Sequence, residues 1–159
     1  MLETDFNNAV KEIRMLVTLK AKECIGRGWS YQLVAEAPES YKDLKEMTKG
    51  FVVPIASYGS DQTIYDNHSV NTMFRFWHDV IHLEEDLGFG VNDESLVADI
   101  HIREGVSMGL SSLALDILEA DTKGQVLYYD RFGEFVGNQK AFVQSCINKG
   151  MKNALRVRH

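Results

Sequence analysis

Apolar residues recur every three to four positions along most of the chain, which is the pattern of amphipathic helices. The first helix is expected to begin after Thr4 or Asp5, either of which can cap it, and to end at Gly26 or Gly28. Its predicted buried face carries Ala9, Ile13, Leu16, Val17 and Ala21.

The same periodicity predicts further helices. A short one is expected between Ser40, which can cap it, and Gly50, which can terminate it. The longer ones are expected over residues 70–87, from Asn92 to about Gly105, from Leu110 to about Tyr129 with a bend at Gly124, and from Gln139 to about Asn148. The basic C-terminal stretch "KGMKNALRVRH" is expected to be a solvated, frayed tail.

Extended structure is expected only between residues 29 and 66. "WSYQLVA" is β-like, and Pro54 limits "FVVPIAS" to an edge strand or a loop. We therefore predict a mainly α, single-domain helical bundle over residues 1–159. Its helical core spans about residues 68–150, and a small extended or β portion lies in residues 29–66.

Composition and charge narrow the class of protein. A chain of 159 residues favours one domain that folds without a disulfide or a structural metal. The net charge of -6 argues against general nucleic-acid binding, which needs a basic surface. Cys24 and Cys146 are far apart and form no CxxC motif, so a reduced, cytoplasmic setting is expected. Neither a signal peptide nor a membrane-spanning segment is expected.

The segment "FRFWHDVIHLEED", residues 74–86, is the most informative stretch of the chain. On a helical wheel His78, His82 and Glu85 share one stripe at the border of the apolar side, whereas Arg75 and Asp79 lie opposite. Two histidines one turn apart are a common pair of metal ligands on a helix. The alternative is a polar rim in which the imidazoles only make hydrogen bonds.

Two carboxylates fall on faces that ought to be apolar. The wheel places Glu84 in the apolar side of the histidine helix, where it is either buried and paired or left at the rim because the helix frays. Asp121 falls in the apolar stripe of "LSSLALDILEADTKGQVLYY". It is either a core-facing ligand or a residue that ends the helix.

A third histidine-bearing segment, "ADIHIREG", lies between these two. His101 and Glu104 are three residues apart and can join a shared site, while Asp99 and Arg103 fit a solvated ion pair equally well. Together, His78, His82, His101 and Asp121 would form a site of nitrogen and oxygen ligands. Such ligands suit a divalent metal such as Mn, Fe or Zn, and they leave positions for water.

These motifs resemble those of the HD family of metal-dependent phosphohydrolases. "WHDVIH" is similar to that family's His-Asp motif, with His78 and Asp79 followed by His82. By the same resemblance, "HIREG" would supply an extra histidine, His101, and "EADTKG" the late aspartate, Asp121. The resemblance covers residues 68–125 and implies that all five residues are metal ligands in a helical bundle.

Other segments resemble a group of small, uncharacterised bacteriophage-encoded proteins with an FRxWHDxxH motif. The similar stretches are "SDQTIY", "VNTMFRFWHD" and "GQVLYY", within residues 52–143. This resemblance implies a viral origin and the host cytoplasm, and it implies no activity.

Two functions are consistent with these features. The first is a metal-dependent hydrolase of a phosphorylated small molecule or nucleotide, in which the metal activates water. Glu84, Glu85 or Glu104 would then accept the proton of the water, and Arg75 or Arg103 would bind phosphate. The second is a non-enzymatic phage protein whose acidic surface binds, and inhibits or redirects, a host enzyme or defence factor.

Overall fold

The computed structural model describes all 159 residues and confirms a mainly α fold with a small β portion. The α-helices are α1 (Glu3–Gly26), α2 (Tyr41–Met47), α3 (His68–Glu85), α4 (Val91–Met108), α5 (Ser112–Glu119), α6 (Gln125–Phe132), α7 (Gln139–Lys149) and α8 (Met151–Ala154). No helix combines the length and the apolar character that crossing a bilayer requires.

The β portion lies in the part of the chain where extended structure was predicted. Strands β1 (Ser30–Val34) and β2 (Val52–Ala56) pair in parallel, with Gln32 opposite Pro54, and α2 connects them. Ser40 caps α2 as expected, in a reciprocal capping box with Asp43. Pro54 is tolerated because the sheet has only two strands, so each strand has a free edge.

The hydrophobic core is formed by the apolar faces of the helices and by β2. α1 is the central helix: it packs against α3 and α5, and every apolar position predicted for its inner face is buried. α3 contributes its own apolar face to the same core, including Phe76, Val80 and Ile81. The histidines therefore sit on a helix that is fixed on one side by close packing.

The helix predicted over residues 110–129 is a continuous rod with one irregular turn. α5 continues directly into a π-helical turn at Ala120–Gly124 and then into α6. The bend expected at Gly124 coincides with the end of this turn, where a Cβ would lie 3.3 Å from the Phe142 ring. A π-helical turn holds one extra residue and is often found at functional positions.

The C-terminal tail is ordered, so the prediction of a frayed end was wrong. After α7 the chain forms α8, and the last residue returns to the core. The backbone N–H of His159 donates to the Tyr128 hydroxyl over 2.8 Å, and the His159 ring packs against Phe142. The tail is ordered because the imidazole and the backbone N–H of His159 contact Phe142 and Tyr128. The basic composition of the tail does not predict these contacts.

Candidate metal centre

The histidines are positioned by the boundaries of α3. Asn67 caps the helix by accepting a hydrogen bond from the backbone N–H of Val70 over 2.9 Å. The helix ends at Asp86, which adopts a left-handed conformation with φ of 51° and turns the chain towards α4. His78 and His82 lie one turn apart near this end, so both imidazoles face the start of α4.

A carboxylate from α4 completes a group of three metal-ligand atoms. His78 Nε2 lies 3.3 Å from Glu94 Oε2, and His82 Nε2 lies 3.4 Å from Glu94 Oε1. The two imidazole Nε2 atoms are 3.1 Å apart. Ligand atoms that share one ion at bonds of about 2.0–2.2 Å stand about 2.8 Å (octahedral) to about 3.6 Å (tetrahedral) from one another. The spacing of His78, His82 and Glu94 therefore matches that of a group that could hold a metal ion.

The orientation of the rings distinguishes a shared ligand from a simple hydrogen bond. The rings of His78 and His82 are inclined at 70°, with their centroids 4.7 Å apart. The rings of His78 and His101 are nearly coplanar, at 9°, with centroids 5.3 Å apart and a similar N–N distance of 3.0 Å. The second pair meets head-on, as an N–H···N bond requires. The first pair does not meet head-on, because its centroids are closer at a similar N–N distance, and both Nε2 atoms lie beside the Glu94 carboxylate.

The backbone determines which nitrogen of His82 is free. His82 Nδ1 lies 2.9 Å from the carbonyl oxygen of Leu87, which can only accept, so this nitrogen carries the proton. The lone pair of neutral His82 is then at Nε2, which faces Glu94. A histidine that donates its second N–H to a backbone carbonyl is a common arrangement at metal sites, because it fixes the tautomer and the ring.

The charges within the group favour an ionised carboxylate. Burial by itself would raise the pKa of Glu94, but hydrogen bonds from His78 and His82 lower it to about 2. Burial opposes protonation of His82, yet with no ion bound its Nε2 can also carry a proton and donate it to Glu94, and this hydrogen bond raises the pKa of the imidazole above its usual value. Binding of an ion would displace this proton. The site therefore presents a carboxylate that stays charged at neutral pH and that attracts a positive group.

His101 joins the cluster through His78 and not through Glu94. Its Nε2 lies 3.0 Å from Nδ1 of His78, on the ring edge away from the atom that faces Glu94. His101 is fully buried and packs against Phe74 and Trp77, with centroid distances of 5.0 and 4.2 Å. Burial, assisted by the charges of His78 and His82, keeps the pKa of His101 well below its usual value. The ring is therefore neutral.

Asp79 lies close to the group but is not one of its three ligand atoms. Burial raises its pKa to about 6, although the charges of His78 and His82 act in the opposite direction. Those interactions place Asp79 near the site, even though the helical wheel put it on the far side of α3. Asp79 follows His78 directly in the chain and is half-buried.

Asp121 is buried, as predicted, but the structure does not bring it to the histidines. The residue is 6% exposed, and its carboxyl accepts a hydrogen bond from Gln125 Nε2, at the start of α6, over 2.9 Å. Burial raises its pKa to about 7, and the hydrogen bond from Gln125 offsets only part of this effect. Its charge contributes, after burial, to raising the pKa of Tyr65. Asp121 is not one of the three atoms that group together at His78, His82 and Glu94.

Of the three glutamates predicted as alternative proton acceptors, Glu85 is exposed, and Glu84 and Glu104 form ion pairs elsewhere. Glu84 binds the Arg27 guanidinium at 2.8 Å and the Trp29 indole N–H at 2.8 Å. It thus sits at the rim of α3, where polar groups of the segment after α1 cover the helix end. Glu104 binds Lys20 of α1 at 2.5 Å.

The predicted phosphate-binding arginines, and the histidine that begins α3, also lie away from the group. The Arg75 guanidinium donates to the carbonyls of Tyr58 and Gly59 over 2.6 and 2.9 Å, which fastens this loop to α3. Arg103 is exposed, and its nearest ion-pair partner is Glu104 at 4.0 Å. His68 is the exposed first residue of α3, 3.2 Å from Asp61.

Sequence reasoning missed Glu94, which lies near the start of the helix expected from Asn92 and was not singled out as a ligand. A signal existed in α4: Glu94, Val97, Ala98, His101 and Gly105 follow a helical spacing, and the last four are buried. A carboxylate on the same stripe as a predicted ligand, His101, marks a polar position that faces the histidine helix. The stripe does not reveal which turn of α4 meets which turn of α3.

Comparisons with protein-family models, with curated proteins and with solved structures find no match to this chain. The geometry of the site itself is therefore the basis for its interpretation.

Proposed function

We propose that this protein is a metal-dependent hydrolase in which His78, His82 and Glu94 hold one divalent ion. The convergence of the two Nε2 atoms and the Glu94 carboxylate on one position carries the proposal. Two imidazoles and a carboxylate suit zinc, iron(II) or manganese. Three protein ligands leave coordination positions for water and substrate, which is the arrangement of a catalytic rather than a structural site.

The exposure of the ligands indicates where substrate would approach. The side chain of His82 is fully buried, whereas those of His78 and Glu94 are 26% and 22% exposed. The ion would therefore be closed off on the His82 side and accessible between His78 and Glu94. An ion in this place would lower the pKa of a bound water and polarise the bond to be hydrolysed.

Asp79 is the residue that we propose as proton acceptor, in place of Glu84 and Glu104. It lies next to His78 in the chain, it is half-buried, and the charges of His78 and His82 act on it. A bound cation would favour its ionised form, which is the form that accepts a proton. Glu84 and Glu104 are engaged in ion pairs with residues of the α1 region. A carboxylate beside two helical histidines is a recurrent arrangement in metal-dependent hydrolysis.

For the substrate we propose a phosphorylated small molecule or nucleotide. A divalent ion with open positions can bind a phosphoryl oxygen and a water together, which supports this class. The similarity of "WHDVIH" to the motif of the HD phosphohydrolases points in the same direction. Because Arg75 is held by backbone carbonyls, the ion itself would be the main binding partner of the phosphoryl group.

Elemental analysis of the purified protein tests the metal centre directly. We expect one equivalent of zinc, iron or manganese per chain, lost in His78→Ala, His82→Ala and Glu94→Gln. Matched controls are His68→Ala, which removes an exposed histidine, and Glu85→Gln, which removes an exposed carboxylate of α3. Phosphate release from a panel of nucleotides and phosphomonoesters, with and without a chelator, tests the substrate class.

The outcomes separate the parts of the proposal. Metal content that the three ligand substitutions leave unchanged would reject the centre. Bound metal without phosphate release from any compound would reject the substrate class alone. A metal-free protein that keeps its fold and binds one defined host protein would support the non-enzymatic alternative.

A further inference from the structure

We infer that His101 is a positioning residue of the metal centre: it accepts a hydrogen bond from His78 Nδ1–H and holds His78 in the tautomer that presents a lone pair at Nε2. This inference rests on the proposed function, because the orientation of His78 matters only if Nε2 binds an ion. It gives His101 a role different from that of the direct ligand expected from the sequence.

The geometry excludes His101 as a ligand of the same ion. The Nδ1 and Nε2 atoms of an imidazole point in different directions, and His78 directs Nε2 to Glu94 and Nδ1 to His101. His101 Nε2 therefore lies behind the His78 ring as seen from the ligand group. The interplanar angle of 9° and the N–N distance of 3.0 Å are those of an in-plane hydrogen bond.

The direction of this hydrogen bond follows from the ligand role of His78. A nitrogen that binds a metal must offer a lone pair, so His78 Nε2 is unprotonated and Nδ1 carries the proton. Neutral His101 then accepts at Nε2 and has its own proton at Nδ1. That Nδ1 is buried and has no hydrogen-bond partner.

Because Nδ1 of His101 has no partner, the hydrogen bond between Nε2 and His78 is the one polar contact of this buried ring. Buried polar atoms nearly always find a partner, so one without a partner calls for an explanation. The rings of Phe74 and Trp77 pack around His101 and fix its plane, so Nε2 is aimed at His78 before any ion binds. His82 needs no such residue because a backbone carbonyl fixes its tautomer.

Zinc affinity, measured by competition with a chelating indicator, tests this role. We expect His101→Phe, which keeps the aromatic packing and removes the acceptor, to weaken Zn²⁺ binding about 10–100-fold. His101→Gln is expected to recover most of the affinity, because its amide oxygen can accept from His78. His68→Ala is the matched control and should bind zinc like the wild type. Circular dichroism of each metal-free variant reports whether the fold is retained.

Nuclear magnetic resonance of the wild type, with nitrogen-15 in its histidines, gives a readout that needs no variant. With Zn²⁺ bound, we expect a proton on His78 Nδ1, a zinc-shifted His78 Nε2 and an unprotonated His101 Nε2. A zinc-shifted nitrogen or an Nε2–H on His101, or full affinity in a folded His101→Phe, would overturn the inference alone. Wild-type protein that binds no zinc, iron or manganese would overturn the proposed function and this inference together.

Discussion

Asp121, a buried carboxyl in the π-helical turn, is expected to make the stability of the protein depend on pH. Asp121→Asn keeps the shape of the side chain and an oxygen that can accept from Gln125 Nε2, but it removes the titrating group. The pKa of Asp121 is about 7 in the fold against 3.8 for the free side chain, a difference of about 3 units. At about 1.4 kcal/mol per unit, this corresponds to at most about 4 kcal/mol of folding free energy.

The direction of the pH dependence follows from which state of the chain, folded or unfolded, binds the proton of Asp121 more tightly. Because the folded pKa is the higher one, the folded chain binds the proton between pH 3.8 and about 7 while the unfolded chain has released it. The contribution of Asp121 to stability is therefore fully present below pH 3.8 and is lost as the pH rises through about 7. Asp121→Asn has no such pH-dependent loss. Its free energy of unfolding should therefore increase relative to that of the wild type as the pH rises.

Urea unfolding followed by circular dichroism, in chelator and from about pH 4 to about pH 8, measures this difference. We expect the free energy of unfolding of Asp121→Asn, relative to the wild type, to increase by more than about 1 kcal/mol across this range. Asp116→Asn removes an exposed carboxylate of the same helical rod and is the matched control. Two profiles that stay parallel within about 0.5 kcal/mol would refute the reasoning, because Asp121 would then titrate as in the unfolded chain.

Two further substitutions test the packing around the site. Phe76→Ala removes a fully buried ring of α3 and should lower the free energy of unfolding by about 3–5 kcal/mol in urea denaturation; a loss below about 1 kcal/mol would contradict the core assignment. Arg75→Met removes the donors that hold the carbonyls of Tyr58 and Gly59, so hydrogen exchange around these residues should accelerate while metal content stays unchanged. Unchanged exchange together with lost phosphate release would instead return Arg75 to the substrate-binding role expected from the sequence.

The group formed by His78, His82 and Glu94 shows how much a helical pattern alone can predict. The i, i+4 spacing places His78 and His82 on one stripe of α3, and this follows from helix geometry without any knowledge of the fold. The wheel likewise predicted correctly that Asp121 faces the core. It did not predict that Asp121 would meet Gln125 of its own helix rather than the histidines.

Glu84 shows what a helical wheel alone cannot predict. The wheel placed it among apolar positions, but in the structure Arg27 and Trp29 cover that end of α3 and supply polar partners. Which groups cover a helix end depends on the path of a segment about 55 residues earlier in the chain, and a wheel contains no such information.

Local spacing along the chain thus determines the helices, the short extended segments and the faces on which the histidines and buried carboxylates lie, because each depends on neighbours within one or two turns. Only the tertiary structure decides which faces meet. The left-handed turn at Asp86 brings the first turn of α4 to the end of α3, so Glu94 becomes the third member of the group and His101 stands behind His78. The convergence of ligands from separate helices depends on distances of a few ångströms set by packing, which a repeat of three to four residues does not specify.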